Sequence, residues 1–307
     1  MKGVLLVNMG GANSPAELKL FLARMFNDPY ILPFGKLGRN LLSFIISNTR
    51  YKKSWKKYEL IGGSPIIDAT KKTVEKLQLS LGSQYRVQMA FSYSQPFIKD
   101  SITDFINVGI NEIIIIPLYP QASLSTTSSV EADAKNTISQ FADLKVSFIR
   151  EFYKHQDFIA FWSNLILKHI KEKNIAKPVL VFSAHSIPES LVAKGDTYAE
   201  AIKTSSRLIA EKCSLEYKVA FQSGMGKNWL KPVSQEILKQ LATEQVNEIL
   251  LIPISFVNEN LETLYDIDKE IIPYAKEVLG IKNISKVEIP VANDDFIKLL
   301  KSIVEDC

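Results

Sequence analysis

Asn111-Glu-Ile-Ile-Ile-Ile-Pro117 and Asn247-Glu-Ile-Leu-Leu-Ile-Pro253 are near copies of one another. Each is a short, β-branched, wholly apolar run between an acidic residue and a proline. That pattern fits a strand covered on both faces and not one with a wet side. Similar runs flank them, at 3–9, 85–91 and 145–149 around the first copy and at 178–183, 217–222 and 286–290 around the second. With the copies themselves at 112–118 and 248–255, eight strands are expected, four and four, each copy third in its set. Stretches of helical period separate them, so the expected class is α/β, with two four-stranded parallel sheets flanked by helices, as in Rossmann-like domains.

A chain of 307 residues is about twice the usual single-domain length, which agrees with two related halves. The expected division is 1–172 and 173–307, with a helix from about 158 to 173 carrying the chain across and the last helix free to pack back on the first half. The N-terminal half takes roughly 40 residues more than the C-terminal half to reach its copy of the repeat, an excess that signals an insertion. It falls at about 28–65. Its first part is apolar, Ile31-Leu-Pro-Phe-Gly35 and Leu41-Leu-Ser-Phe-Ile-Ile46. Arg50, Lys52, Lys53, Lys56 and Lys57 follow, with no acid before Glu59. Such a lip suits an amphipathic anionic ligand or peripheral contact with a membrane surface, and equally a lid with a solvated basic face.

Composition narrows the function classes. The net charge is +4, too small and too dispersed to indicate nucleic-acid binding. Two cysteines, Cys213 and Cys307, form no CxxC pair, so neither a disulfide framework nor cysteine ligation of zinc or iron–sulfur is indicated, and a reducing, cytoplasmic compartment fits best. Nothing in the N-terminal run reads as an export signal or a membrane span. No pattern specifies an oligomer.

Ligands of open parallel sheets bind beyond the carboxyl ends of the strands, so the residues there matter most. After the first strand comes Met9-Gly10-Gly11, then Ser14-Pro15-Ala16-Glu17, a capping box with proline at the first helical position. A glycine pair is far short of a dinucleotide fingerprint. After the third strand, Tyr119-Pro-Gln-Ala-Ser-Leu-Ser-Thr-Thr-Ser-Ser129 is dense in hydroxyls that can cap a helix or hold a carboxylate or phosphate. Of three histidines, His155 and His169 fall in or beside a polar helix. His185 instead ends the apolar strand Val179-Leu-Val-Phe-Ser-Ala-His185, where an imidazole could accept a proton near neutral pH. Beyond the second copy of the repeat, Glu262, Asp266 and Glu270 recur at i, i+4 and i+8, along one face of an α-helix. That stripe is either a solvated acidic face or, together with His185, a set of oxygen and imidazole ligands for a divalent ion such as Fe²⁺.

Taken in order, these segments resemble the ferrochelatase family, which inserts Fe²⁺ into a porphyrin as the last step of haem synthesis. The most specific pieces are Phe182-Ser-Ala-His-Ser-Ile-Pro188 and Phe256-Val-Asn-Glu-Asn-Leu-Glu-Thr-Leu-Tyr265. Support comes from Asn8-Met-Gly-Gly11, Phe26-Asn-Asp-Pro29, Ile61-Gly-Gly-Ser-Pro65, Tyr119-Pro-Gln121, Ser125-Thr-Thr127 and Trp229-Leu-Lys-Pro232. The resemblance implies His185 and Glu262 as catalytic residues, Asp266 and Glu270 as further acids on the metal or proton route, and Met9, Tyr93, Ser125, Trp229 and Phe256 as porphyrin-pocket residues. It also implies a porphyrin held between two domains beneath the lip, with Fe²⁺ as substrate and no permanently bound cofactor. Departures are Ser92 where many members have arginine, Glu259-Asn260 before the catalytic glutamate, and Leu124 with a lone Cys307, so that the iron–sulfur cluster of animal members is not expected. Met9, where coproporphyrin-using members tend to have tyrosine, leans toward protoporphyrin IX over coproporphyrin III. The alternatives are a cobalt or nickel chelatase for a more carboxylated tetrapyrrole and a non-catalytic two-domain tetrapyrrole carrier.

Overall fold

A computed structural model describes residues 1–307. It contains eight strands: β1 (Lys2–Asn8), β2 (Tyr85–Phe91), β3 (Glu112–Pro117), β4 (Lys145–Phe148), β5 (Val179–His185), β6 (Tyr217–Gln222), β7 (Glu248–Ile252) and β8 (Asn283–Lys286). They form two parallel four-stranded sheets in the orders β2-β1-β3-β4 and β6-β5-β7-β8. The repeated Asn-Glu heptad is β3 in one sheet and β7 in the other, at the same place in each. Both copies are central strands whose isoleucines and leucines are buried, which is why they carry no polar alternation.

The chain divides into two compact units, Met1–Glu151 with Leu300–Cys307, and Phe152–Leu299. The helix Gln156–Lys173, expected to close the first half, belongs with the second unit, where it packs on the helix Tyr198–Cys213. In the first unit, Leu5, Val7, Ile98, Ile102, Phe105 and Ile113 form a core between the sheet and the helix Ile98–Asn107. In the second, Val181, Leu238, Leu251, Ile267 and Ile271 form its counterpart.

Two expectations about elements are corrected. The last strand lies at 283–286, not 286–290. The Ile289 N–H is taken by the Glu259 Oε1 carboxylate at 3.0 Å and Pro290 has none, so the ladder cannot continue. The segment Glu262–Ile271 is a π-helix, followed by a second short one, Tyr274–Val278, where ordinary α-helix was expected. The insertion becomes the 24-residue helix Lys36–Glu59, which packs on Pro15–Met25.

Candidate active site

The second unit brings His185 and Glu262 together. The strand order reverses between β5 and β7, the point beyond which parallel sheets bind their ligands. His185 is the last residue of β5, and its main chain is held on both sides. Its N–H donates to Ser255 Oγ at 3.1 Å, and its carbonyl accepts from the buried Tyr198 hydroxyl at 2.9 Å. Burial pushes the Tyr198 phenol well above its ordinary pKa, so it stays a neutral donor. The ring is different. Its Nδ1 is buried with no hydrogen-bond partner, 3.9 Å from Glu262 Oε1, while the side chain as a whole is 38% exposed.

Glu262 opens the π-helix, a rare winding that is frequent at functional sites. The turn before it is tightly built. Thr263 N–H donates to Asn260 Oδ1 at 3.0 Å and Asn260 N–H donates to Thr263 Oγ1 at 2.9 Å, a reciprocal cap. Further along, Asp266 Oδ2 accepts from the Ser223 hydroxyl at 2.6 Å, and Glu270 is exposed. The acidic stripe is thus not drawn in around one point, and no three of the histidine, cysteine, aspartate and glutamate side chains stand close enough to hold an ion between them. Trp229 and Phe256 are half-buried in this unit. The Trp229 backbone pairs with Pro188, three residues past His185.

Met9, Tyr93 and Ser125 lie in the first unit. Met9 is half-buried at the end of β1, and its carbonyl accepts from Tyr93 N–H at 3.1 Å. The Tyr93 ring meets Phe21 edge to face, and its hydroxyl donates to Asp28 Oδ2 at 2.7 Å. Ser129 donates to the same oxygen, and Tyr30 N–H to the other at 2.8 Å. Burial, then the Asp28 charge, drives the Tyr93 phenol far above its ordinary pKa. A cavity of about 310 Å³ opens beside it, lined by Arg24, Asn27, Asp28, Ser92 and Ser129 among others. Within the hydroxyl-rich run Ser123 and Ser125 bond each other at 3.1 Å, Ser129 holds Asp28, and the buried Thr127 hydroxyl has no partner. Tyr198 and Ser255 escaped the sequence reading, and Asp28 entered it only as part of the Phe26–Pro29 motif, with no role assigned. Asp28 follows a short helix as an ordinary turn residue would, and only its three converging donors reveal its role.

The sequence profile of the family described as Ferrochelatase matches residues 1–307. Relatives include the ferrochelatase of Aquifex aeolicus (strain VF5), 38% identical over 316 residues and covering 99% of each chain. That of Geotalea daltonii is 35% identical over 310 residues, covering 98% of this chain and 96% of the relative. Among solved structures, SirB from Bacillus subtilis with Fe³⁺ superposes with a TM-score of 0.60 at 11% identity, covering 98% of this chain and 95% of that one. CbiX, the terminal enzyme for siroheme biosynthesis in denitrifying bacteria, gives 0.56 at 13% identity, covering 100% and 99%. These two likenesses establish the fold, two Rossmann-like domains of the class II chelatase kind.

Proposed function

The chain belongs to the ferrochelatase family and inserts Fe²⁺ into a porphyrin in haem biosynthesis, and we propose that His185 and Glu262 carry the reaction, with protoporphyrin IX as the substrate. Metalation removes two pyrrole N–H protons while Fe²⁺ sheds its waters. A flat macrocycle hides its nitrogen lone pairs, so a catalyst must hold the ring distorted and accept protons. The neutral His185 imidazole takes a pyrrole proton on its exposed edge, and the Glu262 carboxylate facing Nδ1 stabilises the imidazolium and takes the proton onward. Asp266 and Glu270, farther along the π-helix, serve as weak oxygen ligands that pass Fe²⁺ or protons. Met9, Tyr93, Ser125, Trp229 and Phe256 contact the macrocycle. The observation that carries this reading is the unpartnered, buried Nδ1 of His185 opposite Glu262. A buried polar atom without a partner is costly, and it persists where a reaction needs it.

Met9 supports protoporphyrin IX over coproporphyrin III, since its apolar side chain offers no hydrogen bond to an additional carboxylate. Anaerobic assays offering Fe²⁺ with each porphyrin in turn, read by the absorbance of the metalated product, are expected to show a higher kcat/KM with protoporphyrin. Equal or reversed values would remove the preference.

The lip supports peripheral contact with an anionic membrane surface. Leu37, Leu41, Phe44 and Ile45 line one exposed face of the helix Lys36–Glu59, and the basic run follows on the same helix. No helix is long and apolar enough to cross a membrane. The protein should co-sediment with vesicles containing phosphatidylglycerol, and Leu37→Glu with Leu41→Glu should release it; equal sedimentation of both forms would refute the contact.

A further inference from the structure

Lys286 ends β8 with its side chain 4% exposed. All three of its ammonium protons find acceptors: Glu259 Oε2 at 3.0 Å, Asp268 Oδ2 at 2.8 Å and the backbone carbonyl of Thr263 at 3.0 Å. An ammonium is expensive to bury, and it is tolerated only when paired and fully bonded, as here. Every acceptor lies on one segment, just before or within the π-helix, and Glu262 stands among them.

The spacing of the acceptors matters. Thr263 and Asp268 are five residues apart. The Thr263 acceptor is a backbone carbonyl, which points along the helix axis toward later residues, and in a π-turn it is the residue five on, Asp268, that it faces. By bonding that carbonyl and the Asp268 carboxylate together, Lys286 ties the two ends of one such turn from a strand outside the helix. The other restraints nearby do not make this tie. The Asn260–Thr263 cap fixes the entry to the helix, and the Ile289 N–H holds the second Glu259 oxygen, but neither spans a π-turn. The Ser223 hydroxyl on Asp266 spans none either.

We propose that Lys286 is a positioning residue for metal insertion: by bridging Thr263 and Asp268 it fixes the winding of the π-helix and so holds the Glu262 carboxylate against His185. The inference rests on the reading of Glu262 as a site residue. Its test is Fe²⁺ insertion, measured as kcat and as KM for porphyrin, in Lys286→Met, Lys286→Arg and Glu262→Gln beside the wild-type protein. A misplacement of about 1 Å can cost on the order of 10²-fold in rate. Lys286→Met is therefore expected to lower kcat by about 10- to 100-fold with KM nearly unchanged, and Lys286→Arg to restore most of it. Should Lys286→Met fail to fold because Glu259 and Asp268 are left unpaired, the neutral triple variant Glu259→Gln, Asp268→Asn, Lys286→Met removes that strain and should show the same fall. A folded variant with wild-type kcat, a change confined to KM, or a loss that arginine does not relieve would overturn the proposal, provided Glu262→Gln loses turnover. Wild-type turnover in Glu262→Gln would instead sink the reading of Glu262 itself, and this proposal with it.

Discussion

At His185 the main chain is bonded at both its N–H and its carbonyl, by Ser255 and Tyr198, while the ring nitrogen facing Glu262 has no bond at all. The backbone is immobilised so that the ring can be kept unsatisfied. His169 makes the contrast. It bonds Ser285 Oγ at 3.0 Å, and burial, reinforced by Lys173 and opposed by Glu288 and Glu172, holds its pKa below the ordinary 6.5. As pH falls through 6.5 the unfolded chain takes up a proton that the folded chain resists, so stability is lost in that window. His169→Gln keeps a partner for Ser285 and removes the titration. Its urea midpoint should gain on the wild type between pH 7.5 and pH 5, and parallel curves would reject the assignment. That His185, alone among the three histidines, ends an apolar strand was legible. The partner of its carbonyl was not, since Tyr198 lies thirteen residues on in a helix whose pattern says nothing of where its hydroxyl points.

Among elements, the strands were the most legible and the π-helix the least. Strand runs are short, apolar and bounded by turn residues, and β2 and β6 match the expected limits. β8 ends at Lys286, short of the expected Pro290, because the Ile289 N–H is taken by Glu259 and Pro290 has none to give. Glu262, Asp266 and Glu270 share a side in α and π windings alike, so their spacing cannot distinguish the two. The Lys286 bonds to Thr263 and Asp268 come from a distant strand, and no local pattern announces them. The glycine pair after β1 proves to be a packing requirement. Gly10 has φ +92, and a Cβ on Gly11 would stand 2.0 Å from Ser64 Oγ and 2.5 Å from Ser64 Cβ. Ser64 cannot retreat, as its N–H is bound by Asn13 Oδ1 and the Ala12 carbonyl. Gly11→Ala should cost about 1–3 kcal/mol in chemical denaturation, the usual penalty for overpacking. An unchanged midpoint would mean that the turn is looser than this.

For the whole molecule, one strand motif used twice produces two sheets of the same order. The fold alone does not specify the reaction. Chelatases of the SirB and CbiX kind share it at 11–13% identity, whereas ferrochelatases share 35–38% of the sequence over nearly its full length. The cobalt or nickel alternative therefore has only the scaffold in its favour, and a carrier without chemistry would have no need of an imidazole kept unpaired beside a carboxylate. General-base catalysis is worth about 10²–10⁴ in rate. The most direct measurement is the anaerobic rate of Fe²⁺ insertion by His185→Ala, with porphyrin binding followed on the same sample by fluorescence quenching. The rate should fall by about 10²–10⁴ while binding stays within a few-fold of wild type; insertion at near the wild-type rate would contradict the account.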